Sequence, residues 1–393
     1  MIAPLHSRRQ KARGVGVAGH VLLVLAALAI GAAAPTAAGA ASRGTVALEG
    51  VVPGETFGCS VSSAGDVNGD TYADVIVGAY QSGTAVNPSG RAYIYFGGPR
   101  ADERADVVLS GEAPGDAFGV SVSTAGDVNH DGFADVVVGA YENDARGANA
   151  GRAYVYFGGP AMDGRPDVIF TGEMPGDAFG YAVAGAGDVN RDGFADVVIG
   201  AYESSARGAG AGRAYIFHGA ARPDALPDAI LNGETAGDRF GISVAGAGDV
   251  NGDGFADVVI GAYQSDAGGV DAGRAYVYFG GMRIPDRATT VLTGAGAGDA
   301  FGFSVSGAGD VNKDGVSDIV VGAYHNGAGG KDAGRAYVYF GGKSLSPSPD
   351  AVFTGEASGD AFGYAVGAAG DTNGDGYADV LIGAYGNDAG GSA

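Results

Sequence analysis

The sequence predicts an all-β fold, a β-propeller built from four-stranded blades, on three observations. An acidic nine-residue motif returns every 61 residues from Asp66 onward, five times without slippage. Each period contains four short apolar segments separated by Gly, Asp, Asn and Pro, residues that favour turns. No segment carries helical apolar spacing over a useful length. A single four-stranded sheet cannot bury both of its faces, whereas sheets packed radially against their neighbours can.

Composition bounds the chemistry. The chain has 393 residues, 76 of them Gly and 14 Pro, yet 46% of it is hydrophobic, enough for a core rich in turns. A formal net charge of −22 argues against nucleic acid and against an anionic membrane surface, because both need clustered Lys and Arg. It suits a protein that binds cations. Cys59 is the only cysteine, so no intramolecular disulfide can form.

Residues 1–43 read as an export segment. Arg8, Arg9, Lys11 and Arg13 precede the apolar run "GHVLLVLAALAIGAAA", and small residues follow, with an A-x-A-like site at Ala38-Gly39-Ala40. The run is short for a full membrane span, so cleavage is expected, with no span left afterwards. Arg8-Arg9 faintly resembles a twin-arginine signal, and Gln10-Lys11 continues it poorly, so the export route stays open.

Residues 44–393 form the array. In the second repeat, Phe118–Ser123 alternates small and apolar residues, as a strand with two unlike faces does. Ala134–Tyr141 is continuously apolar and predicts a strand covered on both faces. Gly151–Gly159 alternates again and is rich in aromatics, and Asp167–Gly172 makes a short fourth strand. The sixth repeat stops at "GNDAGGSA", where earlier repeats continue into a "GRAYVYFGG" strand. At the other end, Gly44–Gly50 matches a fourth strand without the preceding three. The expectation is a ring closed by pairing terminal strands, six- or seven-bladed when complete, with the C-terminus cut short.

The acidic motif reads D-x-N-x-D-G-x-x-D. It sets oxygen ligands at positions 1, 3, 5 and 9 and offers a backbone carbonyl at position 7. The candidate metal ligands are Asp66, Asn68, Asp70, Tyr72 and Asp74 in the first loop, and Asp127, Asn129, Asp131, Phe133 and Asp135 in the second. Asp188, Asn190, Asp192, Phe194 and Asp196 form the third, and Asp249, Asn251, Asp253, Phe255 and Asp257 the fourth. Asp310, Asn312, Asp314, Val316 and Asp318 form the fifth, and Asp371, Asn373, Asp375, Tyr377 and Asp379 the sixth. An all-oxygen set in a flexible turn suits Ca²⁺ better than Mg²⁺, and the absence of soft ligands argues against zinc or copper. The start resembles an EF-hand loop, but position 12 is Val or Ile instead of Glu, and strand follows instead of helix. A competing reading is a metal-free Asx turn, which needs only one or two such residues. The first loop departs from the pattern, with Thr71 in place of glycine.

Magnitude points to a structural role. At about 1 mM calcium and a Kd of ~0.1 mM, one site stabilises by roughly 1.4 kcal/mol. Six add roughly 8 kcal/mol, comparable to a domain's net stability of about 5–15 kcal/mol. No nucleophile or general base accompanies the loops, so no catalytic residue is expected.

Other recurrent residues read as structural. Arg91, Arg152, Arg213, Arg274 and Arg335 are expected to pair with acids such as Asp116, Asp177 and Asp238, rather than to form an anion-binding ring. The "AYVYF" tyrosines read as packing rather than a sugar-binding surface. The five histidines share no repeat position. Cys59 aligns with Val120, Tyr181, Ile242, Phe303 and Tyr364, and reads as a packed apolar residue.

Phe-Gly followed by "GDVNxDGxADVVVGAY" resembles the FG-GAP repeat of integrin α-subunit propellers and their bacterial relatives, over about residues 45–393. The Phe-Gly pairs begin at Phe57, Phe118, Phe179, Phe240, Phe301 and Phe362. The resemblance implies a propeller, usually of seven blades, with Ca²⁺ in the loop between the first and second strands. It also implies that these loops lie on the face opposite the ligand surface. Gly78-Ala79-Tyr80 and its later copies stand where the family has Gly-Ala-Pro. The function expected is a secreted or cell-surface, calcium-binding scaffold for adhesion to an extracellular protein or glycan, and not an enzyme. The alternatives are the non-catalytic propeller part of a secreted hydrolase and a structural cell-surface component. The loops between strands, such as "ENDARGANA", are alike and name no ligand.

Overall fold

The computed structural model describes residues 21–22, 47–50, 55–81, 83–84, 87–99 and 101–388. Apart from Val21–Leu22, the export segment lies outside them. Among the described residues every regular element is a strand.

The predicted blades are present. The second sheet pairs Val122–Gly126, Asp135–Ala140, Arg152–Tyr156 and Val168–Thr171 in sequence order, each antiparallel to the next. The first, third, fourth and fifth sheets repeat that order, beginning at Ser60, Ala182, Ser243 and Ser304. The sixth consists of Phe362–Gly370 and Asp379–Ala384, with Val21–Leu22 paired parallel to the latter.

In the second repeat, the first strand begins four residues later than the alternation suggested, because Phe118-Gly119 serves the junction between sheets. Phe118 forms a parallel bridge to Gly90 of the preceding sheet. The Gly119 amide donates to the Gly139 carbonyl at 2.9 Å. Ala117 just before it is held at φ 55°, an uncommon left-handed conformation for a residue with a side chain. The Phe118 ring is fully buried against Tyr154 at 5.4 Å and Tyr156 at 6.4 Å between centroids. The "AYVYF" tyrosines are therefore core, as the sequence suggested. Glycine is obligatory where sheets meet most closely: a Cβ on Gly139 would stand 1.9 Å from the Gly180 carbonyl oxygen of the next sheet.

Five of the six core clusters among the described residues join two consecutive sheets. Val137, Val155 and Phe170 of the second pack with Val183, Val197 and Ile199 of the third. The end sheets lack one such neighbour. Val61 of the first sheet is 62% exposed, while its counterpart Val122 is 5% exposed. Leu381 of the sixth is 36% exposed, against 0% for Val320. Residues 47–50 form no strand, a departure from the expected fourth strand. Leu48 nevertheless packs with Phe57, Val77 and Tyr93. Leu109 packs against the equivalent residues Phe118, Val138 and Tyr154 one repeat later.

Two readings need correction. Among the described residues, three of the five strand arginines pair with a different acid, and Arg335 donates to Thr354 Oγ1 instead. Arg152 Nη1 meets Glu112 Oε2 at 2.5 Å, and Arg213–Glu173 and Arg274–Glu234 repeat the pair at 2.6 and 2.7 Å. Asp116 is unavailable because it is buried and accepts bonds from the Ala113 amide and Asn143 Nδ2 at 2.8 and 2.9 Å. Cys59 is exposed instead of packed as an apolar residue, because it lies in the turn before the first strand, although its Sγ donates to the Gly119 carbonyl at 3.5 Å.

Because Phe240 fills an inter-sheet junction with no exposed surface, Phe240→Ala is expected to cost about 3–5 kcal/mol. Denaturant unfolding of the two proteins checks this, and a loss below about 1 kcal/mol contradicts the packing described.

Candidate metal centre

Each acidic loop starts from a β-bulge. In the second sheet the register shifts between Thr124 and Gly126, and Gly126, at φ 80°, pairs with Asp135. The bulge turns the chain out of the first strand, and Asp127 follows at once.

The loop then closes on its own side chains. Asp127 Oδ1 accepts the Asp131 amide at 3.0 Å, and its Oδ2 accepts the Gly132 amide at 2.9 Å. Asn129 Oδ1 accepts the Asp131 amide at 3.0 Å, while its Nδ2 donates to Asp131 Oδ2 at 2.8 Å. Asp131 Oδ1 accepts the Phe133 amide at 3.1 Å. The third loop matches bond for bond at Asp188, Asn190 and Asp192. Where position 4 is glycine, a further bond appears: Gly252 donates to Asp249 Oδ1 at 2.7 Å. Position 4 is left-handed even with a side chain, with His130 at φ 58°, Arg191 at 61° and Lys313 at 64°. In the first loop the β-branched Thr71 is forced to φ 77°, a strained geometry that marks this as the weakest copy.

Position 9 behaves differently. Asp135 is buried; its Oδ2 accepts the Val128 amide at 2.8 Å and its Oδ1 the Gly158 amide at 2.8 Å. It ties the turn to the end of the third strand, and Asp74, Asp196, Asp257 and Asp318 do the same. The "FGG" glycines that supply the second amide were not singled out as site residues, although their fixed place after every "AYVYF" was a visible signal. In the sixth sheet no described residue fills that role, and Asp379 Oδ1 is buried without a partner.

These buried carboxyls are under-compensated. Burial pushes Asp135 and Asp257 up to about 7, and Asp196 and Asp318 up to about 6, despite two backbone donors each. The like charges of Asp127 and Asp131 add to the rise at Asp135. A nearby cation acts the other way and favours the ionised form.

The structure therefore brings positions 1, 3 and 5 around one turn in each repeat, with position 9 directly behind it. Among the described residues, no three His, Cys, Asp or Glu side chains gather closely enough to hold a metal by themselves. An ion held there would draw also on the Asn amide oxygen and the position 7 carbonyl. The donors are all hard oxygens, and the charge behind them is unbalanced, so the residues fit a hard divalent cation in kind.

At the far end of the second strands lie the Gly-Ala-Tyr tyrosines. They pack edge-on with residues that follow the Phe-Gly pairs: Tyr141–Tyr181 at 5.3 Å, Tyr181–Tyr202 at 4.6 Å and Tyr263–Phe303 at 5.5 Å. The histidines stay scattered, with His325 against Asp332 at 3.0 Å and His218 against Asp228 at 3.5 Å.

Comparison with known proteins follows this geometry. The family described as FG-GAP repeat matches residues 57–95, 118–156, 179–217, 240–278, 301–339 and 362–393. Integrin alpha-5 of Xenopus laevis is 34% identical over 234 residues, 56% of this chain and 21% of the relative. Integrin alpha-7 of Mus musculus is 32% identical over 224 residues, 52% of this chain and 18% of the relative. Integrin alpha-PS2 of Drosophila melanogaster is 32% identical over 217 residues, 51% of this chain and 15% of the relative. The matched segment thus spans about a fifth or less of these curated relatives. The matches begin at the Phe of each Phe-Gly junction and run through the acidic turn, in the first five repeats to the end of the third strand, and the chain belongs to the FG-GAP repeat family.

Proposed function

We propose that this chain is an exported, calcium-stabilised propeller that serves as a binding or adhesion scaffold outside the cell or at its surface. The observation that carries the reading is the repetition of one oxygen-rich turn, with one hydrogen-bond pattern, at the same end of every sheet. The likeness to integrin alpha chains supports the scaffold role. Among the described residues no helix is long and apolar enough to cross a membrane.

In each turn, Asp at positions 1, 5 and 9, Asn at 3 and the carbonyl at 7 would hold the ion. In the second loop these are Asp127, Asp131, Asp135, Asn129 and Phe133. The ion would supply charge neutralisation and cross-linking, with no chemical step. The protein's own contribution is the turn itself: backbone amides and the Asn side chain bring the carboxylates together, and the ion would order that turn further. Ligand contact falls to the loops between strands, carried on rigid sheets. We assign no catalytic role, and the extracellular partner is a protein or glycan.

Three outcomes are expected. Thermal unfolding in 1 mM calcium should lie at least about 5 °C above that in chelator; coincident midpoints contradict the metal assignment. The exported protein should begin near Ala41, just after the Ala38-Gly39-Ala40 site, by N-terminal sequencing; an intact Met1 in the membrane fraction contradicts cleavage. Beads coated with the full chain should adhere to cells in calcium more than bare beads do, and lose that adherence in chelator. Equal adherence of coated and bare beads contradicts the scaffold role.

A further inference from the structure

The acidic turns are joined to one another. The carbonyl of Asp188, position 1 of the third loop, accepts the amide of Ala256, position 8 of the fourth, at 3.0 Å. The same bond recurs at all five junctions between consecutive loops, at 2.9–3.1 Å. A second link lies beside it: the Val189 carbonyl accepts the Gly281 amide at 2.8 Å, and the adjoining Gly280 amide holds Asp257 Oδ1 at 2.7 Å. A continuous path of short bonds therefore runs from one turn to the position 9 carboxylate of the next. Side chains add to it where position 4 is not glycine. The Arg191 guanidinium lies 5.9 Å from the Phe255 ring, and the Lys313 ammonium 5.0 Å from the Tyr377 ring.

Resting on the calcium reading above, we infer that the six turns take up their ions cooperatively, each site tightened by occupation of its neighbours. The residue that offers the position 1 carboxylate also offers the carbonyl that fixes the next loop. The amide that answers it directly precedes that loop's position 9 ligand. An ion that orders one turn thus orders the partner groups of the next before its ion binds, and the neighbour's ordering cost falls. The coupling is reciprocal, because the bond has one energy whichever side is ordered first. A row of like units with nearest-neighbour links behaves as a one-dimensional array. Central loops, with two neighbours, bind tightest. The first loop, with one neighbour and a strained Thr71, binds weakest.

The test is calcium titration of the full chain by calorimetry, alongside Asp253→Ala. Asp253 accepts the Phe255 amide and makes no bond across a junction. The wild type is expected to bind with a Hill coefficient above one. Asp253→Ala is expected to lose its own ion and to weaken the two adjacent sites about fivefold or more. Amide exchange at half-saturating calcium should rise in residues 188–196 and 310–318 and stay unchanged in 66–74. Asp70→Ala in the first loop, whose bonds stay within that loop, is the second variant, and only the second loop should respond. Loss of one ion with all other affinities unchanged, or negative cooperativity in the wild type, overturns the coupling alone. A wild type that binds no calcium overturns the metal reading beneath it.

Discussion

The buried carboxylate at position 9 is the interaction on which the rest depends. It holds the acidic turn with one oxygen and the end of the third strand with the other, as Asp135 does between Val128 and Gly158. Without it the turn would have no fixed place against the sheet, and the bonds that pass to the next turn would have no anchor. The bond pattern comes at an electrostatic cost. Burial raises the carboxyl to about 7 with other carboxylates nearby, and a cation at the turn would offset that cost. Function and stability therefore meet in one residue per repeat.

The second requirement is mutual burial of sheets. The blades between the two ends share their cores with their neighbours, because the clusters there draw residues from two consecutive sheets. Close approach is made possible by glycine, as at Gly139 over the Gly180 carbonyl, and is filled by the Phe of the Phe-Gly pair. The uncovered faces at Val61 and Leu381 show how much a neighbour contributes, since the same positions inside the array are almost fully buried.

Much of this was legible in the sequence because a repeat exposes its own logic. A 61-residue period with four apolar segments leaves few folds, and four oxygen donors at fixed alternate positions leave few roles. What was not legible involved partners in three dimensions. The choice of Glu112 over Asp116 for Arg152 depended on which acid was already engaged by Asn143. Exposure of Cys59 depended on its place in the turn before the first strand, which no property of the residue reveals. The bonds between acidic turns run through backbone amides, and backbone atoms leave no trace in residue identity.

The central claim, that these turns are built to enclose a divalent cation, is tested most directly by a crystal structure grown in calcium. The account predicts anomalous density in the turns, ringed by six to eight oxygens at about 2.3–2.6 Å. Asp127, Asn129 and Asp131 and the Phe133 carbonyl should be among them in the second repeat. Turns that remain closed on their own amides in saturating calcium, with no ion between the carboxylates, would contradict it.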